Sequence, residues 1–213
     1  MSRFKKRPKI FHVPDTKEIF MSLSSMPSWS EILLLTYPEK PYSKFLKHLL
    51  SVKFYIEDEM RFKIKEVAKD AKIQPQKATK WIKQIYEEII ALNMESPQLF
   101  RKGGTTVFIS MKYFDDSLNL NISLSKLPRI HENIEFPFAK AKVGTSRFWV
   151  KNIEYSINDE ETEIWVATEG GIHNKYREFI LDRALFNHRL GFMDEYHMGA
   201  SQLDEELKRI YRE

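Results

Sequence analysis

Residues 64–89, IKEVAKDAKIQPQKATKWIKQIYEEI, constrain the fold of this chain more than any other stretch, because they predict two helices joined by a short corner. The first helix has an apolar face at spacings of three and four, formed by Ile64, Val67, Ala68 and Ala71. Pro75 suits the first turn of the second helix, where its missing N–H would have had no helical partner. This helix extends to about Leu92, and its apolar face consists of Ala78, Trp81, Ile82, Ile85, Tyr86 and Ile89.

The opposite face of the second helix is basic at its N-terminal end. Its polar residues there are Gln76, Lys77, Thr79, Lys80 and Lys83, whereas Glu87 and Glu88 come only in later turns. This gradient favours contact between the start of the helix and a polyanion. The alternative is that the lysines form an ordinary solvated helix face.

The flanking residues add a further helix and a pair of strands. Upstream, Phe45, Leu46, Leu49 and Leu50 share one helical face. Downstream, the β-prone runs QLF and TTVFISMKYF are separated by Arg101, Lys102, Gly103 and Gly104. Since glycine permits the positive φ of a tight turn, we expect a hairpin with its tip at these four residues.

In this order of elements, and in the positions of Ala68, Ile73, Ala78 and Trp81, residues 42–114 resemble the winged helix-turn-helix superfamily. The resemblance implies a second helix in the major groove of DNA and a hairpin wing against the backbone or the minor groove. The DNA-binding residues it implies are Gln76, Lys77, Thr79, Lys80 and Lys83 in the helix, with Arg101 and Lys102 at the wing tip. The chain departs from the pattern at Lys72, because such corners often carry glycine; either Lys72 is left-handed at a cost of roughly 1 kcal/mol or the corner is built differently.

Charge is distributed unevenly along the chain. Residues 1–114 contain 21 Lys and Arg against 12 Asp and Glu, whereas residues 115–213 contain 13 against 18. The basic half favours a nucleic-acid partner, although two domains that merely differ in charge are the alternative. The N-terminal arm, with Arg3, Lys5, Lys6 and Arg7, either follows a DNA groove or serves as a solubilising tail.

Residues 115–213 predict a separate acidic unit. Its β-prone segments are 135–143, 147–157 and 162–169, and helical spacing returns at about 176–190 and 202–211. The expected fold class is therefore α+β, in which residues 1–41 form a basic arm and a helical lead-in, and 42–114 form a winged helix-turn-helix. Residues 115–213 then form a small antiparallel β-rich unit with C-terminal helices, through which the chain forms a homo-oligomer or binds a protein partner.

Several functional classes lack a sequence signature. The chain has no cysteine, no signal peptide and no apolar run near twenty residues, so we expect a cytoplasmic or other intracellular protein without a membrane partner. No glycine-rich phosphate loop or helical histidine pair indicates a cofactor or a metal. Asp115–Asp116 and the acidic run 159–163 suit Mg²⁺ in a nuclease, but such exposed acids are more typical of solvated turns.

We therefore expect a non-catalytic regulator that binds duplex DNA, in transcription, in replication or as an accessory of a mobile element. The binding is either sequence-specific or dependent on DNA structure. The alternative is an adaptor that docks other proteins through its winged helix.

Overall fold

The structure, a computed structural model, describes residues 11–52, 63–159, 162–194, 198 and 200–211, and confirms a mixed α+β fold. The helices are α1 (Thr16–Ser24), α2 (Pro27–Thr36), α3 (Ser43–Ser51), α4 (Ile64–Asp70), α5 (Pro75–Glu95), α6 (Lys140–Val143), α7 (Lys175–Phe186) and α8 (Ala200–Tyr211). The strands are β1 (Thr105–Tyr113), β2 (Asp116–Leu124), β3 (Asn133–Glu135), β4 (Arg147–Ile157) and β5 (Thr162–Gly170). Two 3₁₀ turns, Pro97–Phe100 and Pro137–Ala139, connect them.

The five strands form one sheet in the order β2-β1-β5-β4-β3. The hairpin β1–β2 and the pairs β4–β5 and β3–β4 are antiparallel, whereas β1 and β5 run parallel, with Phe108 opposite Trp165. The sheet of the C-terminal half is therefore neither wholly antiparallel nor confined to residues 115–213. The predicted boundary between residues 114 and 115 falls in the turn of the β1–β2 hairpin.

One face of this sheet packs on the helices and forms the main core. Alternate residues of the strands point into this core, among them Val107, Ile109, Met111, Leu118, Leu120, Phe148, Val150 and Val166. The core continues without a break through α1 to α6 and includes residues from Ile19 to Val166. This contiguous burial joins both halves of the chain.

Helix α5 is the central helix of that core. The predicted apolar face is confirmed: Ala78, Ile82, Ile85, Tyr86 and Ile89 are buried, and Trp81 is half-buried against Phe45 of α3. Two side chains join α5 to the sheet half. The Tyr86 hydroxyl donates to the carbonyl oxygen of Phe138 at 2.8 Å, and the side chain of Asn93 bonds both backbone groups of Asn121.

Two predicted strands, at residues 98–100 and 135–143, are wrong, and so is the predicted position of the hairpin turn. Residues 98–100 form a 3₁₀ turn instead of a strand, and the hairpin connects β1 to β2 through Phe114 and Asp115 rather than through Gly103 and Gly104. The predicted strand at 135–143 is mostly a 3₁₀ turn followed by α6. Pro137 cannot donate to a β-ladder, and Gly144 at φ 85° ends α6 with a left-handed residue.

The last two helices form a smaller, second cluster. Its buried members are Leu181, Ala184, Leu190, Met198, Leu203 and Leu207. An ion pair between Arg177 of α7 and Asp204 of α8, at 2.5 Å, links the two helices. The predicted helices at 176–190 and 202–211 are thus confirmed as α7 and α8, with α7 ending a turn earlier.

Candidate nucleic-acid interface

Helices α4 and α5 are joined by a four-residue corner, residues 71–74, with a defined backbone. Lys72 has φ 55°, so of the two possibilities for this corner the structure shows the left-handed lysine. The Lys72 N–H donates to the Lys69 carbonyl at 3.0 Å, and the Ile73 N–H donates to the Ala68 carbonyl at 2.9 Å. These two bonds define a Schellman motif, in which Ile73 packs against the core beside Val67.

The first turns of α5 present their polar face to solvent. Gln76, Lys77, Lys80 and Lys83 are exposed, and Thr79 is half-buried. The Lys77 ammonium lies over the Trp81 ring at 4.7 Å, whereas no acidic side chain in the described ranges pairs with Lys80 or Lys83. The two lysines therefore keep uncompensated charge next to the corner.

Glu87 and Glu88 of α5 have partners away from the first turns of the helix. The Lys142 ammonium lies 3.1 Å from both Glu87 oxygens. Glu88 accepts hydrogen bonds from the Tyr42 hydroxyl and the Gln84 amide and pairs with Lys40 at 3.4 Å. Burial alone would raise the pKa of Glu88, but these hydrogen bonds and the Lys40 charge outweigh it and hold the pKa below its ordinary value.

Exposed lysines of α4 and the corner extend the basic surface. Lys65 and Lys69 on α4 and Lys72 in the corner are exposed. Over residues 63–83 the chain carries seven lysines against only Glu66 and Asp70, and Glu66 bonds Lys63 at 3.0 Å. We call Lys65, Lys69, Lys72, Gln76, Lys80 and Lys83 the basic face. The sequence analysis did not include Lys65 and Lys69 of α4. Their spacing of four residues, away from the apolar Val67 and Ala68, could have predicted that they share an exposed side of that helix.

Arg101 and Lys102 do not lie at a hairpin tip. Both are exposed, but they follow the 3₁₀ turn at the C-terminal end of α5, where Phe100 packs edge-on against Trp29 with ring centroids 5.2 Å apart. A helix of 21 residues is roughly 30 Å long, so Arg101 and Lys102 lie at the opposite end of α5 from Gln76. The structure does not bring these two groups of cations together.

The true hairpin tip is apolar and acidic. Phe114 has φ 51° and is 49% exposed, and Asp115 and Asp116 follow it. An Asp116 carboxylate oxygen accepts a hydrogen bond from the His12 backbone N–H at 2.6 Å. The arm with Arg3, Lys5, Lys6 and Arg7 lies outside the described residues.

No protein-family model, curated protein or solved structure matches the chain. None of the helices in the described ranges combines the length and the apolarity needed to span a membrane.

Proposed function

We propose that this protein binds duplex DNA through α4, the corner and the first turns of α5, in the manner of a helix-turn-helix domain. One observation carries the proposal. Lys80 and Lys83 in the first turns of α5 are exposed and have no acidic partner among the described residues, while the sheet half forms hydrogen bonds with the same helix further along, at Tyr86, Glu87 and Asn93. The basic face is thus left free for a polyanion by the described part of the chain.

The side chains of the basic face suit different parts of a duplex. Gln76 is placed in the first turn of α5, where an amide can bond both N6 and N7 of adenine in the major groove. Lys80 and Lys83 lie about one and two turns further along α5, where their ammonium groups would contact a guanine edge or phosphates. Lys65 and Lys69 on α4 would meet the backbone beside the groove. In this assignment the protein is a non-catalytic regulator.

The β1–β2 hairpin follows the recognition helix in the chain as a wing does, but its chemistry differs from that of a basic wing. Its tip offers Phe114 and carboxylates rather than Arg101 and Lys102. We therefore assign the major part of the affinity to the basic face, with Arg101 and Lys102 as a separate phosphate contact at the far end of α5.

A salt titration of duplex binding tests this assignment. The variant Lys80→Ala/Lys83→Ala is compared with Lys112→Ala/Lys126→Ala, which removes the same charge from exposed positions on the sheet half. Each phosphate contact contributes about one unit to the slope of log K against log salt. We expect the first variant to lose up to about two units of slope and the control variant to keep the wild-type slope.

Equal losses of slope in the two double variants would mean that DNA binding depends on overall charge and not on the lysines of α5. Weak binding that neither variant changes would favour the alternative, an adaptor that docks proteins.

A further inference from the structure

Three potential metal ligands meet at a distance from the basic face, where the first turn of α7 approaches the residues before β3 and after β5. His131 precedes β3, His173 follows β5, and Glu178 lies in the first turn of α7. One nitrogen of each imidazole and one carboxylate oxygen all lie within 4.8 Å of one another. Glu178 is 2.7 Å from His173 Nε2 through one oxygen and 3.3 Å from His131 Nε2 through the other.

Backbone hydrogen bonds outside the cluster are formed at or close to each of these residues. The His131 N–H donates to the Val150 carbonyl on β4 at 2.8 Å. On the other side of β4, the Gly171 N–H donates to the Arg147 carbonyl at 2.9 Å, two residues before His173. The Asn174 side chain caps α7 by accepting from two backbone N–H groups at 3.1 Å. The cluster is therefore preorganised by β4 and by the start of α7.

The two imidazoles lie side by side with their Nε2 atoms toward the same carboxylate. Their rings stack with centroids 3.9 Å apart and 8° between planes, and the Trp149 ring packs against both. The His173 side chain is only 7% exposed, whereas those of His131 and Glu178 are 39% and 40% exposed. The cluster thus has a buried ligand against Trp149 and a side that opens to solvent.

We propose that His131, His173 and Glu178 bind a divalent transition-metal ion of the Zn²⁺ class, which fastens α7 to the edge of the sheet. Two imidazole nitrogens and one carboxylate oxygen form a donor set that zinc favours when it keeps a position for water. The solvent-exposed side of the cluster supplies that position.

Coordination requires the two imidazoles to rotate out of their stack, because a metal lies in the plane of each ring that binds it and the stacked rings are almost parallel. At metal–ligand distances near 2.0–2.2 Å, tetrahedral ligand atoms lie roughly 3.3 Å apart. The two Glu178 contacts, made through separate oxygens, are 3.3 Å to His131, which matches that separation, and 2.7 Å to His173, which is shorter than it. The Nε2 atoms would give up their protons, because an imidazole must be neutral and unprotonated at the liganding nitrogen.

Calorimetric titration of chelator-treated full-length protein with Zn²⁺ tests the proposal, and Co²⁺ absorption reports the coordination geometry. The ligand variants are His173→Ala, Glu178→Gln and His131→Asn, the last because asparagine tolerates the left-handed φ of 70° at that position. The control is His48→Ala, on α3. Wild type and control are expected to bind one ion per chain, and each ligand variant to bind at least about 100-fold more weakly.

Zn²⁺ binding that Glu178→Gln and His131→Asn both leave unchanged would overturn the site, as would failure of the wild type to bind one equivalent. Circular dichroism identifies any variant that fails to fold. Both residues are partly exposed, so these two substitutions decide the matter even if His173→Ala unfolds the C-terminal helices. DNA binding is measured separately on the same proteins, and its loss or retention bears only on the basic face.

Discussion

At the scale of single residues, Lys72 combines a left-handed backbone with an exposed, charged side chain. A Cβ makes this conformation costly, by roughly 1–2 kcal/mol, and glycine is the usual residue at the equivalent position of a Schellman motif. The left-handed residue ends α4 and allows the chain to reverse into α5, and the two hydrogen bonds of the corner offset part of its cost. The lysine in turn adds charge beside Gln76.

We expect Lys72→Gly to raise the free energy of unfolding by about 0.5–1 kcal/mol, because it removes the left-handed strain. Lys69→Gly, which removes the same charge from a right-handed helical position, should lower it by about 0.5–1 kcal/mol. Urea unfolding of both variants at one pH measures the two changes. Destabilisation of similar size in both would mean that Lys72 does not occupy the left-handed conformation in solution.

Glu88 stabilises the contact between the start of α3 and α5 in a pH-dependent way. The pKa of Glu88 is below its ordinary value of 4.5 in the folded protein, so its contribution is full above that pH and is lost as the pH falls through the folded pKa. We expect Glu88→Gln to cost about 1–2 kcal/mol at pH 7, where the hydrogen bond from Tyr42 is charge-assisted.

The difference between Glu88→Gln and wild type should shrink as the pH falls below 4.5 and through the folded pKa of Glu88, because protonated Glu88 and glutamine are both neutral. Urea unfolding at several values between pH 7 and pH 3 measures it. Glu66→Gln, on the exposed surface of α4, serves as the control. A constant difference across this range would show that Glu88 acts through packing and not through charge.

At the scale of elements, the sequence predicts those whose apolar residues repeat with one clear period. The faces of α4 and α5 and the strands β4 and β5 fall in this class. Strand β2 has apolar residues with a period of two, at Leu118, Leu120 and Ile122, but it was not predicted because a domain boundary was expected just before it, between residues 114 and 115. The hairpin turn at Phe114 and Asp115 contains no glycine. The sequence therefore predicted the turn at Gly103 and Gly104, where glycine is present.

Those glycines have a different role in the fold. Gly103 and Gly104 both adopt positive φ, as expected, but they lead the chain from the 3₁₀ turn into β1. A Cβ on Gly104 would lie 2.4 Å from the Leu124 carbonyl oxygen, so the start of the β1–β2 pair excludes a larger residue. Local conformation was thus predictable, while the identity of the paired strands depended on residues far along the chain.

The two candidate sites differ in the same respect. The lysines of α5 belong to one helix, so helical geometry alone groups them. His131, His173 and Glu178 come from two loops on either side of β4 and from a helix, and only the strand order brings them together. Histidine spacing in the sequence carries no sign of that cluster.

At the scale of the whole molecule, burial is divided between a large core and a small one. The core from Ile19 to Val166 includes α5, β1 and β5, whereas α7 and α8 bury mainly each other. Elements with fewer buried apolar contacts open at a lower free energy than the central core. The C-terminal helices are therefore the first described part expected to open.

Native-state hydrogen exchange at increasing denaturant tests this order. We expect the amides of α7 and α8 to exchange through openings that cost roughly 2 kcal/mol less than those of α5, β1 and β5. Peptides from the β1–β2 hairpin, whose Val107, Ile109 and Leu120 belong to the large core, serve as the internal reference. The same opening free energy for both sets of amides would show that the two clusters unfold as a single cooperative unit, against this prediction.

The parallel pairing of β1 with β5 has a consequence for biosynthesis. During translation, α5 and the β1–β2 hairpin emerge well before residues 162–170, which form the strand that pairs with the second edge of β1 in the described sheet. Until then the ribosome-bound chain presents an unpaired edge bearing Val107, Ile109 and Met111, a template for pairing with another nascent chain. Fragments that stop before β5 should accordingly precipitate when expressed, whereas the full-length polypeptide covers that edge with its own last strand.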